Sequence, residues 1–359
     1  MTDLAAHGAA FVRAVAGFGP EPAILCHDDA DGLSAGAIFG RALDRAGLGP
    51  GEIRIVGRGE SAWSSTLRDE LVARRPGDLV VTDRGVQAGA VLPGVPTVLV
   101  DHHVPHSRPE PAGAIGISGH AEEPVPTSSL LAFAYAMALS TAGSDGPADL
   151  AWLAGIGPVG GLGDRGASKD FPGLLGPLLE THTAKALREA VSLVNAPRRP
   201  ASGGARPALR LLLKATAPVD IVEGTDPDAA RLRDARAEVK AALDAPRSVP
   251  PLFAGPVALI RCDSPCQIHP LVAQSWTGRL RRQVVVGANA GLRPGFVHFA
   301  ARSAAVPDLI AFLQERAPPL GPDDQFAQGH RRATGGQVRV QTWNRFVAGL
   351  GFGPEAQVP

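Results

Sequence analysis

The chain is poor in the residues that mark several classes of protein. Of its 359 residues only 3 are cysteine, Cys26, Cys262 and Cys266, too few and of the wrong parity for a disulfide framework. A reducing compartment, by default the cytoplasm, is therefore expected. Aromatic residues make up only 5% of the chain, so Trp343 and Phe346 read as core and not as a platform for stacked bases. Charge of one sign is missing as well. The formal net charge is +0, with 19% charged and 45% hydrophobic residues, so neither a disordered chain nor a strongly basic, nucleic-acid-coating surface is indicated. Any polyanionic partner must be gripped locally. No apolar run approaches the about 20 residues of a membrane span, and "MTDLAAHGAAFVRAVAGFGPEP" has no signal-peptide layout; it reads as an amphipathic helix. The 43 Gly and 33 Pro follow no period and serve as turn punctuation, and no internal repeat is present.

What the first half does contain is a run of short apolar segments ending in acids: "PAILCHDDAD", "GDLVVTD" and "PTVLVDHH", with Ala- and Leu-rich segments between. Continuous apolar strands alternating with helices predict a parallel sheet covered on both faces. Ligands of such sheets gather beyond the carboxyl ends of the strands. Asp29, Asp31, Asp83, Asp101, His102 and His103 all stand at or just past such an end, so the fold would bring them together. Further on, "ADLAWLAGIGPVGGLGDRG" predicts a buried helix leading into a Gly-rich turn that presents Asp164. The fold class is α/β, divided into a parallel-sheet domain over 1–194, a connector with helices over 195–249, and a smaller α/β domain over 250–359. The connector opens with the loop "NAPRRPASGGARP".

Clustered carboxylates repel one another and raise each other's pKa unless positive charge sits among them. A single Asp after a strand is ordinarily a turn or cap residue. Three strand ends carrying acids, with His27, His102 and His103 beside them, point instead to divalent metal. Carboxylates with imidazoles suit Mn²⁺ or Mg²⁺, and two ions about 3.5–4 Å apart need one carboxylate between them. Cys262, Cys266 and His269 in "CDSPCQIH" lack the spacing of a structural zinc site, and His106, His120, His182 and His298 stand alone.

These motifs, in this order, resemble the DHH/DHHA1 phosphoesterase family, in its RecJ-like branch. "HDDADGLSAG" resembles the first motif of that family, "TDRG" the second, "VDHH" the signature that names it and "GLGDRG" the fourth. "FAARS" and "GHRRATGG" resemble the substrate strand and glycine-rich loop of its second domain. The resemblance implies two divalent ions, with manganese preferred and magnesium as the alternative. His27, Asp29 and Asp83 would hold one ion, and Asp31, Asp83, His102 and Asp164 the other, with Asp83 as the bridge. Asp101 would orient a neighbouring imidazole, and His103 would face the scissile phosphate. Gly32 and Ser34 shape the turn after the first strand.

The second domain is expected to choose the substrate. Backbone N–H groups at Gly335 and Gly336, with His330 and Arg302, would bind an anion, and Asn195 and Arg199 in "NAPRR" resemble a connector motif of RecJ-like proteins. The implied reaction is hydrolysis of phosphodiester bonds at the ends of short oligonucleotides or single-stranded nucleic acid. A small-nucleotide phosphatase or a linear or cyclic dinucleotide phosphodiesterase is the alternative within the class. A nucleotide- or nucleic-acid-binding protein without turnover is the alternative outside it. No membrane partner is implied, and the oligomeric state is not legible.

Overall fold

The computed structural model describes residues 4–49, 51–105, 114–140 and 147–359. Their helices and strands fall into two units, one formed by 1–198 with 204–234, the other by 199–203 with 235–359. The stretch 195–249 is thus shared between them.

In the first unit, strands β1 (Ala23–His27), β2 (Ile53–Val56), β3 (Leu79–Thr82), β4 (Thr97–Asp101) and β5 (Ala114–Ser118) form a five-stranded sheet in the order β2-β1-β3-β4-β5. Every pairing is parallel, as the uninterrupted apolar strands predict. Alternation along each strand sends side chains to two cores. Ile24, Cys26, Val80, Val98 and Val100 face one; Leu25, Leu79, Val81 and Leu99 face the other. Helices α1 (Leu4–Val15), α2 (Ala30–Leu43), α4 (Ser128–Leu139) and α5 (Ala151–Asp170) contribute to the first core, and α3 (Ser65–Arg74) to the second. Helices α6 (Pro172–Thr181), α7 (Ala184–Asn195), α8 (Arg206–Lys214) and α9 (Pro218–Val222) complete the unit with the start of α10 (Pro227–Arg247).

The strand order matters for function. Chain progression reverses beside β1, so a crevice opens between the carboxyl ends of β1 and β3, where open α/β sheets take their ligands. Helix α2 starts at that edge and lies unusually close to β1. A Cβ on Gly32 would stand 2.5 Å from His27 Cβ, and one on Gly36 would stand 3.0 Å from Cys26.

The second unit holds a six-stranded mixed sheet in the order β10-β11-β9-β8-β7-β6. Its strands are β6 (Leu252–Ala254), β7 (Val257–Cys262), β8 (Val284–Asn289), β9 (Phe296–Ser303), β10 (Gln325–His330) and β11 (Ala333–Arg339); its helices are α11 (His269–Thr277), α12 (Leu309–Gln314) and α13 (Val340–Gly349). Trp343 and Phe346 are buried in its core beside Phe299, as their low number in the chain suggests. Among the described residues, no helix is long and apolar enough to cross a membrane.

Candidate metal centre

Each candidate ligand is positioned by a chain end that the fold fixes. His27 closes β1 and Asp29 caps α2, its Oδ1 accepting from Gly32 N–H at 3.0 Å. The ordinary role of an Asp after a strand is therefore fulfilled, and its second oxygen remains: Oδ2 lies 3.1 Å from His27 Nδ1. Asn195 completes the same helix start by accepting from Ala30 N–H at 3.0 Å. Asp83 follows β3 in the left-handed region, φ 60°, which turns its carboxylate inward; Asp tolerates this better than most residues. Asp101, 1% exposed, ends β4.

These residues converge. Asp83 Oδ2 lies 3.3 Å from His27 Nδ1, and Asp83 Oδ1 lies 3.4 Å from His102 Nε2. Asp31 Oδ2 is 3.8 Å from the same His102 nitrogen. Among the groups of ligand atoms that lie within 4.8 Å of one another are two that could hold an ion each, His27–Asp29–Asp83 and Asp31–Asp83–His102, with Asp83–Asp101–His103 beside them. Asp101 serves His103: its Oδ1 accepts from the His103 backbone N–H at 2.6 Å and lies 2.9 Å from ring Nδ1, while Oδ2 accepts from Gly85 N–H at 2.6 Å.

Several participants carry no signal in the motifs. Helix α4 presents its first backbone amides to Asp31, Ser128 N–H to Oδ2 and Ser129 N–H to Oδ1, both at 2.9 Å, and the Ser128 hydroxyl donates to Asp83 Oδ1 at 2.9 Å. A helix N-terminus is a natural seat for a carboxylate. Asp28 lies behind His27, its Oδ1 3.3 Å from Nε2, and Arg198 pairs with it at 3.1 Å. From the sequence, "NAPRR" was legible as a loop resembling a connector motif, and Ser128 and Ser129 carried no reading at all.

The electrostatics follow from the crowding. Burial opposes a charged His27, yet Asp29, Asp83 and Asp28 outweigh it and push the imidazole up to about 10; burial likewise opposes His102, which Asp83 and Asp31 raise to about 9. Burial and the neighbouring Asp83 push Asp31 up to about 6. Asp29 is held down at about 2 by His27 in spite of burial, and Asp83, buried against its imidazole partners, lies well below the usual carboxylate range. Asp101 is also lowered, His103 prevailing over burial. Protons on the two imidazoles thus occupy the place where cations would stand. The buried His27 Nδ1 finds no partner in hydrogen-bonding geometry although two carboxylates face it. Imidazole and carboxylate lone pairs that converge in this way fit a divalent ion better than they fit one another.

Asp164 has a different partner. Helix α5 continues through the expected Gly-rich turn with one break, at Gly163 (φ 73°), and Asp164 next to it pairs with Arg188 Nη1 at 2.7 Å, outside the two sets. In the second unit, Arg302 on β9 pairs across to Ala333 of β11, and its guanidinium is lowered from its ordinary pKa by burial. His330 ends β10, with Arg331 and Arg332 forming the two-residue turn of the hairpin. Gly335 and Gly336 lie not in this turn but inside β11, between β9 and β10. Arg199 donates to the Gln267 carbonyl at 3.0 Å. Of the histidines that stand alone in sequence, His298 is buried beside His269, with ring centroids 5.9 Å apart, and His106 lies outside the described residues.

No family model and no curated protein matches the sequence. Solved structures do match. RecJ from Thermus thermophilus in complex with Mn²⁺ superposes with a TM-score of 0.68 at 21% identity, covering 97% of this chain and 54% of that one. The DHH domain of a member of the s1p family of ribosomal proteins gives 0.67 at 16% identity, covering 97% and 90%. The fold is that of the DHH-domain proteins. A second RecJ, an exonuclease bound to manganese, gives 0.59 at 21% identity, covering 98% and 95%. This chain with the DHH fold spans about half the length of the Thermus RecJ chain.

Proposed function

We propose that the chain is a two-metal phosphoesterase of the DHH/DHHA1 type, RecJ-like, that hydrolyses phosphodiester bonds at the ends of short oligonucleotides or of single-stranded nucleic acid. One observation carries the reading: the buried Asp83 turns one carboxylate oxygen to His27 and the other to His102, as a carboxylate shared by two ions must. His27 and Asp29 would complete one site, Asp31 and His102 the other. Divalent ions there supply Lewis acidity, lowering the pKa of water and neutralising charge on a phosphate.

The chain's own residues do the rest. Ser128 and Ser129 hold Asp83 and Asp31, so the ligand oxygens need little rearrangement. Asp101 fixes the His103 ring through Nδ1, and we assign His103 to the scissile phosphate. Anion recognition fits the second unit, where Arg302, His330, Arg331 and Arg332 sit on or near one hairpin. That unit carries 15 Lys and Arg against 8 Asp and Glu, so the neutral chain total conceals a basic half.

The test is a panel of end-labelled oligonucleotides, dinucleotides and mononucleotides incubated with Mn²⁺ or Mg²⁺. Terminal release from substrates of roughly two to five nucleotides, with a shallow salt dependence, is expected, because few phosphates are contacted. Turnover of only mononucleotides or dinucleotides would select the narrower activity, and binding without hydrolysis of any phosphoester would overturn the assignment as an enzyme.

A further inference from the structure

The two halves of the centre differ in their surroundings. Asp28, 7% exposed, takes His27 Nε2 at 3.3 Å and Arg198 Nη1 at 3.1 Å. The same guanidinium nitrogen lies 3.5 Å from Asp29 Oδ2. Arg198 is enclosed, its side chain 13% exposed, and its carbonyl accepts from Arg58 Nη2 at 2.6 Å. Around Asp31, the opposite half, the partners are the backbone amides of Ser128 and Ser129 and the His102 ring; among the described residues no Lys or Arg forms an ion pair with Asp31 or Asp83.

We propose that Arg198 is a positioning residue that makes the two ion sites unequal, keeping the His27–Asp29–Asp83 site the weaker. The proposal rests on the two-ion reading above. Asp28 engages one ring nitrogen of His27 and thereby directs the other at Asp29 and Asp83, the usual arrangement behind a metal-bound imidazole. Left alone, its buried carboxylate would add one more negative charge to this half and tighten a cation there. The guanidinium cancels that charge and sits close enough to Asp29 to repel a divalent ion. If Arg198 served only to hold the structure, its loss would loosen His27 and weaken ion binding. The two roles predict opposite signs.

Mn²⁺ titration of the full chain by calorimetry and by the electron paramagnetic resonance of unbound ion separates them, with melting curves taken with and without Mn²⁺. The wild-type chain is expected to bind two ions in two steps. Arg198→Gln should tighten the weaker step by on the order of tenfold, leave the stronger step unchanged, and lower the melting temperature of the metal-free chain by removing the guanidinium partner of the buried Asp28. Arg198→Lys, which keeps the charge, should behave as wild type. Asp28→Asn combined with Arg198→Gln removes both charges and should return the weaker step toward wild type, and this pair of variants decides the matter should Arg198→Gln not fold. A weaker step that loosens or stays put in Arg198→Gln, or a double variant with both steps weakened, overturns the proposal. A wild-type chain that binds one ion or none overturns the two-ion reading itself and the proposal with it.

Discussion

Gly157 of α5 stands so close to Asp31 that a Cβ placed on it would lie 1.9 Å from Asp31 Oδ1, and 2.3 Å from Ser129 Oγ. The helix thus forms the back wall of one candidate ion site, and only hydrogen fits between. Gly157→Ala should cost roughly 1–3 kcal/mol of stability, as overpacking does, outweighing the gain in helix propensity. It should also weaken Mn²⁺ binding by displacing Asp31. Gly155→Ala is the control, because its Cβ would meet only the movable Leu178 Cδ1 at 2.8 Å. Thermal melts with and without Mn²⁺ check both; equal behaviour of the two variants would contradict the wall.

Asp83 is tested best by Asn, which keeps the shape and tolerates the φ of 60°. Asp83→Asn should abolish turnover and remove ion binding at both sites while the metal-free fold survives. Ser128→Ala removes the donor to Asp83 Oδ1 and should cost about 1.5–3 kcal/mol, the worth of a hydrogen bond to a charged group. Ion content measured by atomic emission after desalting decides; two ions retained by Asp83→Asn would refute the bridge.

The parallel sheet and its edge were legible because each relevant strand ends in its own candidate ligand: His27, Asp83 and, just past Asp101, His102. Burial on both faces leaves such strands uninterruptedly apolar, which gives the reading little ambiguity. Contacts made across long sequence distance were not legible. Ser128 reaches Asp83 from a segment without a motif, and Arg198 reaches Asp28 from one that reads as a loop and connector. Asp164 shows the opposite case. The resemblance implies a ligand there, and in the structure Asp164 pairs with the exposed Arg188, a contact worth only about 0–1 kcal/mol and so no obstacle to a ligand role. Gly335 and Gly336 read as loop glycines since a close approach between strands leaves no other trace in sequence.

Proton linkage gives a further expectation. In the metal-free chain His27 and His102 are raised to about 10 and about 9, so the stability they contribute is complete below about 6.5 and is lost as pH rises through those values. Asp31, raised to about 6, shares that sign at lower pH, and Asp29, lowered to about 2, has the reverse sign, its contribution lost as pH falls through that value. Ion binding requires neutral imidazoles, so loading both sites at pH 7.5 should release about two protons, and affinity should rise with pH up to about 9 at the His102 site and about 10 at the His27 site. Calorimetry in buffers of different ionisation heat counts the protons. An affinity flat between pH 6.5 and 9 would contradict the charged imidazoles.

The hairpin of the second unit separates structural glycines from substrate groups. A Cβ on Gly336 would lie 2.0 Å from the Gln325 carbonyl oxygen, and one on Gly335 would lie 2.3 Å from that of Phe299; backbone on both sides leaves nothing to move. Gly336→Ala should therefore destabilise this unit by roughly 1–3 kcal/mol and alter kinetics only through the loss of folded protein. His330→Ala and Arg302→Ala touch no ladder amide and should instead raise KM for oligonucleotides, by the equivalent of about 1.5–3 kcal/mol each, with ion content unchanged. The two effects should not add if both groups grip one phosphate. Melting curves, ion content and the split between kcat and KM distinguish the outcomes. A Gly336→Ala chain of unchanged stability and raised KM would return the glycines to the substrate site, and a His330→Ala chain that loses an ion, or loses kcat at constant KM, would move His330 from substrate capture into the catalytic centre.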